Sequence, residues 1–258
     1  MIAPDTPKQI SPTRDPVVAA TTGGPVPTLP ERLADLAGSA FLHAAEVTVA
    51  EPCAPGFIRV ELRSDAFRDA AWTPGTKVQI RTRRGTLKLR TYTPTRWDAD
   101  TTELIAYTHG DGPATDWFRG AAAGATCDVL GPRKSIDLRG LDRAVFIGDE
   151  SSIALAIALS GVTSRVDHVF EASDPDAVTA MLASRGLAES SVVVPKTADP
   201  QQLLTRARAA APTEPFDLVV TGDAKTVHQV RRDSRDWPNR PGQTKGKAYW
   251  AEGRAGLD

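Results

Sequence analysis

The chain has 258 residues, 41% of them hydrophobic and 24% charged, with a net charge of -1. This length suits one large domain or two of modest size. The near-neutral balance argues against a nucleic-acid binder, because such domains carry a basic excess that neutralises phosphates. Cys53 and Cys127 lie far apart and the four histidines are scattered, so no metal site is expected.

The first thirty residues mix proline, threonine and glycine with charged residues, which predicts a flexible arm over residues 1–30. They contain no apolar segment of signal-peptide length. The most apolar run of the chain is interrupted by Asp149 and Glu150, so no membrane span is expected. Without an export signal or a cysteine framework, the expected compartment is the cytoplasm.

From about residue 40 to 137 the sequence consists of short alternating runs separated by glycine and proline. The runs are AEVTVAEP, GFIRVELRS, TKVQIRTRRG, LKLRTYTP, ELIAYTHG and ATCDVLGP. Six such runs predict an antiparallel six-stranded barrel, closed or nearly closed, with one helical segment at 113–122. We assign residues 31–139 to this barrel domain.

After residue 140 apolar strands alternate with helical segments. The pairs are AVFIG with SIALAIALSG, VDHVFEA with PDAVTAMLASRG, SVVVP with PQQLLTRARAA, and FDLVVTG with AKTVHQVRRDS, followed by KAYWAEG as a final strand. This alternation indicates βαβ units on a parallel sheet. The predicted fold class is therefore a β-barrel followed by an α/β nucleotide-type domain over residues 140–258.

The segment KLRTYTPTRWD, residues 88–98, places an arginine fork and a phenol two positions apart near the end of a strand that Pro94 terminates. Arg90 and Tyr92 share one face of that strand. Together they suit a ligand with a flat ring at one end and a phosphate at the other. The same alternation is also found on exposed strands that only contact solvent.

The segment YTHGDGPATDWFRG, residues 107–120, has the features of an anion site at a helix start. Gly110 and Gly112 free the backbone, Pro113 suits a first helical turn, and Thr115 adds a hydroxyl. The amide groups and the dipole of a helix start favour a phosphate. Asp111 opposes this, and a plain capped helix after a turn is the alternative.

The segment FIGDESS, residues 146–152, follows a buried strand and opens a helix, which is where nucleotides dock on α/β sheets. Two acids at this position repel a diphosphate, so hydrogen bonds to sugar hydroxyls or to a carboxamide fit better. Acids at a helix N-terminus are also favourable without any ligand. The predicted donor-nucleotide residues are Gly148, Asp149, Glu150, Ser151 and Ser152.

The motifs LRTYTP, HGDGPATDW, GPRKS, FIGDESS and KGKAYW occur in this order along the chain. Through these five motifs the chain resembles the siderophore-interacting proteins. These are bacterial ferric-siderophore reductases of the ferredoxin-NADP reductase superfamily. The resemblance implies FAD held in the barrel. It also implies that NAD(P)H or ferredoxin supplies electrons from the side of the α/β domain.

By this resemblance Arg90 binds the flavin diphosphate, Tyr92 lies against the isoalloxazine ring, and Thr93 contacts the ring nitrogen that receives hydride. His109 and the turn from Gly112 to Thr115 contact the ring edge and the diphosphate. Trp117 is either an aromatic site residue or a core residue of the short helix. The implied FAD residues are Arg90, Thr91, Tyr92, Thr93, His109, Gly112, Pro113, Ala114, Thr115 and Trp117.

The resemblance also implies a basic pocket for an anionic ferric siderophore, for which Lys245, Lys247 and Arg254 are the candidates. Ala251 and Glu252 stand where the family often has basic residues. Reduction weakens the hold of hard oxygen donors on iron. A flavin can pass on the two electrons of a hydride singly. The alternatives are a flavin reductase with another acceptor and a non-catalytic protein that binds siderophore or nucleotide.

Overall fold

A computed structural model describes residue 29 and residues 41–83, 85–86 and 88–254. The predicted arm at 1–30 lies outside the described residues, apart from Leu29. Within the described ranges the chain forms two sheets that follow one another in sequence, each with its own helices.

The first sheet is antiparallel and barrel-like, which confirms the predicted fold class. It contains seven strands, one more than expected, in the order β4-β3-β7-β1-β2-β6-β5, and it is not closed. The strands are β1 His43–Ala54, β2 Phe57–Arg63, β3 Lys77–Arg81, β4 Leu89–Tyr92, β5 Arg96–Asp98, β6 Thr101–Tyr107 and β7 Thr126–Arg133. Among the residues described between 41 and 139, one α-helix, α1, spans Pro113–Gly120 and falls within the predicted helical segment.

The additional strand is β5, which the alternation pattern could not reveal because it has only three residues. It pairs with β6 through Trp97 opposite Thr102. The Trp97 ring lies 4.8 Å from that of buried Phe67, and its indole nitrogen donates to the Phe67 carbonyl oxygen over 3.3 Å. Tertiary packing of one tryptophan therefore makes this segment a strand.

The second sheet is parallel, as predicted, with the strand order β10-β9-β8-β11-β12. The strands are β8 Arg143–Gly148, β9 Arg165–Ala172, β10 Ser191–Pro195, β11 Asp217–Asp223 and β12 Thr244–Trp250. The helices are α2 Ile153–Ser160, α3 Pro175–Ser184, α4 Gln201–Ala210 and α5 Ala224–Asp233. The strand order reverses between β8 and β11, which in such sheets is the place where ligands bind.

The two sheets share a hydrophobic core. Phe57 and Ile105 of the first sheet belong to the same buried cluster as Phe146 and Phe170 of the second sheet and Leu155 of α2. Two further clusters fill the barrel interior and the opposite face of the parallel sheet, beneath α4 and α5. Because each fully buried phenylalanine contributes about 1.5–3 kcal/mol, the shared cluster holds the two sheets in one arrangement.

A buried ion network also joins the two sheets. Glu103 of β6 accepts from Arg59 of β2 over 2.5 Å and from Arg185, which follows α3, over 3.1 Å. Burial raises the pKa of Glu103, but hydrogen bonds from Arg59 and Thr95 outweigh it, so the pKa lies below the ordinary value of 4.5. The carboxylate is therefore held charged at the boundary between the sheets.

Within residues 41–254, as far as they are described, no helix combines the length and apolar character needed to cross a lipid bilayer. In the same part of the chain, no three histidine, cysteine, aspartate or glutamate side chains gather in a way that could hold a metal ion.

Candidate functional site

Strand β4 carries Arg90 and Tyr92 on one face, as the alternation predicts. They stand opposite Ile80 and Val78 of β3, two residues of the barrel core. Tyr92 is largely enclosed, and burial raises its pKa, against a smaller opposing effect of Arg90. Arg90 is exposed, and the hydrogen bond of its side chain goes to the Leu89 carbonyl oxygen. The strand thus presents a packed ring and an accessible guanidinium group.

The turn before α1 is open at its amino end. Gly112 is the N-cap, no side chain caps the helix, and Pro113 occupies the first turn. A Cβ atom added at Gly110 or Gly112 would meet nothing within 4 Å. The first amide groups of a helix have no partner inside the helix. The amides of Ala114 and Thr115 therefore have no partner within the helix, and unpaired amides at a helix start favour an anion.

Two aromatic contacts connect the turn with the strands. The Tyr92 ring meets Phe118 of α1 edge-on at 4.9 Å, which fixes β4 beside the helix. His109 is exposed and stacks on Tyr107 at 4.9 Å. The Thr115 hydroxyl donates to the His109 carbonyl oxygen over 3.2 Å and closes the turn. The two segments singled out in the sequence thus lie side by side.

Two predicted FAD residues have other contacts. The Thr91 hydroxyl accepts from the side-chain amide of Gln79 over 3.3 Å, so Thr91 is on the face of β4 opposite to Arg90 and Tyr92. Trp117 packs against Phe118 at 4.8 Å and against the barrel core. Of the two roles considered from sequence, site aromatic or core residue, these contacts are those of a core residue.

The residues at this site fit FAD. An accessible arginine and an uncapped helix start supply donors for a diphosphate. An aromatic side chain on the adjacent strand supplies a surface for a ring system. No acid pairs with the exposed Arg90 guanidinium among the described residues. Arg90, Tyr92, Thr93 and the turn before α1 are accordingly the residues that would hold this cofactor.

Thr93, just beyond β4, faces the second sheet. Its hydroxyl and that of Thr221 on β11 lie beside the Tyr249 phenol of β12, without a well-aligned hydrogen bond. Burial raises the pKa of Tyr249 to about 12, and the two neighbouring hydroxyls oppose that rise. The end of the predicted flavin strand therefore meets the carboxyl ends of two parallel strands. The sequence placed Thr93 and Tyr249 in separate motifs and did not single out Thr221.

The segment Gly148–Ser152 satisfies its own polar groups. Asp149 is buried and accepts from the Ser151 amide over 3.0 Å, the Asp223 amide over 3.0 Å and the Trp250 indole nitrogen over 2.7 Å. A Cβ atom at Gly222 would lie 2.6 Å from the Asp149 carboxyl group. The point where the strand order reverses is therefore filled by the protein's own carboxylate.

The remaining groups of this segment are also engaged. The Glu150 carboxylate accepts the Ser173 amide. The Ser151 and Ser152 hydroxyls donate to Asp149 over 2.5 and 3.4 Å. Only Ser151 of this segment is exposed. The sequence left two roles open for these acids, a nucleotide contact or stabilisation of a helix start. The contacts seen here are those of the second role.

A lysine and a tryptophan cover Asp149. The Lys196 ammonium group, just after β10, lies 3.4 Å from the Glu171 carboxylate and 3.8 Å from that of Asp149. It also lies 4.4 Å from the centroid of the Trp250 ring. Residues on or directly after four strands, β8, β9, β10 and β12, thus contribute to one buried polar cluster. Sequence reasoning missed Lys196 and Glu171 because each is a single charged residue at a strand end.

The three basic residues proposed for substrate have different surroundings. Lys245 donates to the Asp137 carbonyl oxygen over 2.6 Å and Lys247 to the Ser135 hydroxyl over 2.9 Å. Both lysines thereby tie β12 to the segment between the two sheets. Arg254 is exposed and, with Lys225 and His228 of α5, lines an open groove of about 790 Å³ that Lys247 also borders.

The first sheet matches a known family. Residues 48–136 match the family model described as the siderophore-interacting FAD-binding domain. This match contains β4 and the turn before α1, and it confirms for this domain the resemblance carried by the sequence motifs. The prediction of FAD as cofactor is confirmed with it. No curated protein matches the sequence significantly.

Solved structures share the fold across both sheets. The siderophore-interacting protein SipS from Aeromonas hydrophila is 18% identical with a TM-score of 0.68, over 83% of this chain and 93% of that one. A siderophore utilization protein from T. fusca is 20% identical with a TM-score of 0.66, over 84% and 95%. Phthalate dioxygenase reductase is 13% identical with a TM-score of 0.66, over 84% and 70%.

These comparisons define the class of protein. The chain has the two-sheet fold of ferredoxin reductase-like flavoproteins. Residues 48–136, within its first sheet, match the model of the siderophore-interacting FAD-binding domain. At these identities the solved structures establish the fold.

Proposed function

We propose that this protein is an FAD-dependent oxidoreductase that reduces ferric siderophores and thereby releases iron as Fe(II). The observation that carries the proposal is the joint placement of exposed Arg90 and the uncapped turn before α1, inside the segment that matches the siderophore-interacting FAD-binding domain. Two proteins with the same fold support the acceptor, since one is a siderophore-interacting protein and the other a siderophore utilization protein.

Each part of the site has a task in this proposal. Arg90 and the amides of Ala114 and Thr115 bind the diphosphate. Tyr92, fixed by Phe118, positions the ring system. When bound, FAD takes up two electrons together and gives them up one at a time. Thr93 offers a hydroxyl beside the ring, and the packed boundary between the sheets keeps bulk water away from it.

We further propose NAD(P)H as the electron donor, approaching from the carboxyl edge of the parallel sheet. The strand order reverses there, as in other nucleotide-binding sheets. Phthalate dioxygenase reductase, which shares the fold, is described as a modular structure for electron transfer from pyridine nucleotides to an iron-sulfur centre. Ferredoxin remains the other donor considered, and we keep the cytoplasm as the proposed compartment.

We retain the domain division at residue 139, with the barrel domain before it and the α/β domain after it. Lys245 and Lys247 bridge this boundary, because their ammonium groups contact residues 137 and 135. For the siderophore we propose the neighbourhood of these lysines and of Arg254. The groove beside Arg254 is lined by further basic groups and suits an anion.

A second candidate function keeps the flavin and changes the acceptor. Phthalate dioxygenase reductase and a ferredoxin reductase of carbazole 1,9a-dioxygenase share the fold with TM-scores of 0.66 and 0.64, within the range of the siderophore-interacting structures. In this candidate a redox protein or free flavin receives the electrons. A non-catalytic binding protein is the third possibility, and it predicts no electron transfer to any of these acceptors.

The test begins with the visible absorption spectrum of the purified protein, with and without added FAD. We expect the yellow spectrum of bound flavin. The loaded protein is then reduced by dithionite without oxygen and mixed with a ferric hydroxamate or catecholate chelate, while ferrozine traps Fe(II). We expect reoxidation of the flavin and appearance of the ferrozine complex, faster than with an equal concentration of free reduced FAD.

Three outcomes separate the candidates. A protein that takes up no FAD contradicts the whole proposal. A flavoprotein that reduces ferredoxin or free flavin but not the chelates supports the second candidate. A flavoprotein whose reduced cofactor is reoxidised by none of these acceptors supports the binding protein.

A further inference from the structure

A cavity of about 430 Å³ lies at the amino edge of the parallel sheet, at the opposite end of the strands from Thr93. This volume is within the range of pockets that hold small molecules. Its walls are formed by the amino-terminal halves of β8, β9 and β10, by the end of α4 and by the segment that follows α4. None of these residues belongs to the FAD site or to the proposed donor and substrate sites.

Three charged side chains occupy one face of the sheet at this cavity. Arg143 of β8 stands opposite Arg165 of β9, and Asp167 follows two residues later on β9, opposite Val145. Side chains alternate along a strand, so all three lie on the face that carries Val145 and Val169 into the core beneath α4 and α5. The cavity wall is therefore the charged continuation of a buried apolar face.

The protein compensates these charges incompletely. The Arg143 side chain is 20% exposed and donates to Glu214 over 3.0 Å, whereas its Nε is buried without a hydrogen-bond partner. Asp167 is half-buried and Arg165 is exposed, and neither forms an ion pair within the part of the chain that the structure describes. A partly buried carboxylate without a cation costs free energy. Asp167 and Arg165 are therefore available to ligand groups of opposite charge.

The charges around the cavity disfavour both a simple anion and a simple cation. The arginines that line it are Arg143, Arg165 and Arg206, and the acids are Asp167, Glu189 and Glu214. The acids repel a phosphate ester, and the arginines repel a polyamine. A small molecule with one carboxylate and one ammonium group is attracted by both sets. An arginine fork binds a carboxylate through two parallel hydrogen bonds, and an aspartate accepts hydrogen bonds from an ammonium group.

The uncharged part of the wall suits an aliphatic side chain. Val192 of β10 is 41% exposed and lies on the same strand face as buried Val194. Residues 209–212 add three alanines and a proline to the wall. The cavity thus combines charges of both signs with an apolar surface.

We propose that this cavity binds an α-amino acid as its zwitterion, with Arg165 binding the carboxylate and Asp167 the ammonium group. The Cα atoms of the two residues are about 7 Å apart along the strand. Because an α-amino acid carries both charged groups on one carbon atom, a long arginine and a short aspartate at this spacing can reach them together. The inference does not rest on the proposed function.

The test measures binding to the FAD-loaded full chain. Saturation-transfer NMR with each of the standard L-amino acids identifies those that bind, and we expect the aliphatic ones. Titration calorimetry then compares L-leucine with L-leucinamide, which lacks the carboxylate, and with N-acetyl-L-leucine, which lacks the ammonium group. We expect each derivative to bind wild type about tenfold more weakly than leucine.

Two variants that each remove one charge assign the roles. Arg165→Gln should weaken leucine binding about tenfold and abolish the preference for leucine over leucinamide. Asp167→Asn should weaken leucine binding similarly and abolish the preference over N-acetyl-leucine. Each variant should keep the other preference, which shows that the cavity is intact.

Arg208→Gln is the matched control. Arg208 is exposed on α4, like Arg206, but it pairs with Asp233 over 2.9 Å and does not line the cavity. We expect this variant to bind leucine as wild type does.

The proposal is overturned if wild type binds none of the amino acids, or if leucine and its two derivatives bind equally. It is also overturned if Arg165→Gln and Asp167→Asn change nothing, or if Arg208→Gln weakens binding as much as they do, since general surface charge would then attract the ligand. FAD uptake and ferric-chelate reduction by wild type are measured separately, so failure here and failure of the proposed function are distinguishable.

Discussion

The molecule contains two strand-to-helix turns that look alike in sequence and differ in structure. Before α1, Gly110 and Gly112 border open space and no side chain caps the helix. After β8, the Asp149 carboxylate takes the amides of Ser151 and Asp223 and the Trp250 indole. We call them the open turn, residues 109–115, and the closed turn, residues 148–152.

The difference shows how a binding site is distinguished from a structural feature. Both turns place glycine and an acid near a helix start, which favours negative charge. In the closed turn the negative charge is part of the protein, so the donors are already used. In the open turn they remain available to a ligand. The number of unused donors, and not the presence of glycine, is therefore the informative property.

The largest expected effect on stability comes from replacing glycine by alanine at or beside the two turns. Gly222 has a φ of +112° and its Cβ would lie 2.6 Å from the Asp149 carboxyl group, so Gly222→Ala should cost about 4 kcal/mol of unfolding free energy. Gly110 has a φ of +60° and open space, so Gly110→Ala should cost about 1 kcal/mol. Urea unfolding of both variants measures the difference, and equal losses would contradict it.

The next largest difference in stability should appear when the acidic residue of each turn is replaced. Asp149→Ala leaves the Trp250 indole and the Asp223 amide unpaired in a buried place and should cost about 3 kcal/mol. Asp111→Ala, at an exposed residue of the open turn, should change stability by less than about 0.5 kcal/mol. FAD retention per folded molecule should be the same in both. Loss of FAD only in Asp149→Ala would show that the closed turn has a direct role in flavin binding.

An arginine variant tests the open turn as a ligand site. Arg90→Ala should weaken FAD binding by about 1.5–3 kcal/mol, because a charge-assisted contact with the diphosphate is lost. Arg96→Ala is the matched control, since Arg96 is exposed on β5 and pairs with Glu61 over 2.8 Å. Equilibrium dialysis against FAD measures both. Unchanged FAD affinity in Arg90→Ala would falsify the assignment.

The smallest expected effect is a pH-dependent loss of stability at the boundary between the two sheets, where Glu103 lies. The folded pKa of Glu103 is lowered, so its contribution to stability is fully present above the ordinary value of 4.5 and is lost as the pH falls through the folded value. Wild type should therefore lose more stability below pH 4.5 than Glu103→Gln. Urea midpoints between pH 3 and pH 7 compare them, and parallel curves would exclude a role for this carboxylate.

The sequence predicted most elements because their signals are local. Alternation and glycine or proline breaks depend on neighbours within a few residues, and they predicted six of seven barrel strands and the whole order of the α/β region. Arg90 and Tyr92 share a face because side chains alternate along any strand. The candidate FAD site could be proposed for the same reason, since both of its segments are short and continuous.

The contacts of Asp149 could not be predicted in this way. Its partners Asp223 and Trp250 lie 74 and 101 residues further along the chain, and they reach it only because β11 and β12 stand beside β8. The meeting of Thr93 with Thr221 and Tyr249 likewise depends on how the two sheets pack. Local sequence therefore determined which segments fold into strands, helices and an open turn. Tertiary structure decided which polar groups are used up and which remain for a ligand, because hydrogen bonds between distant residues form only once the sheets have assembled.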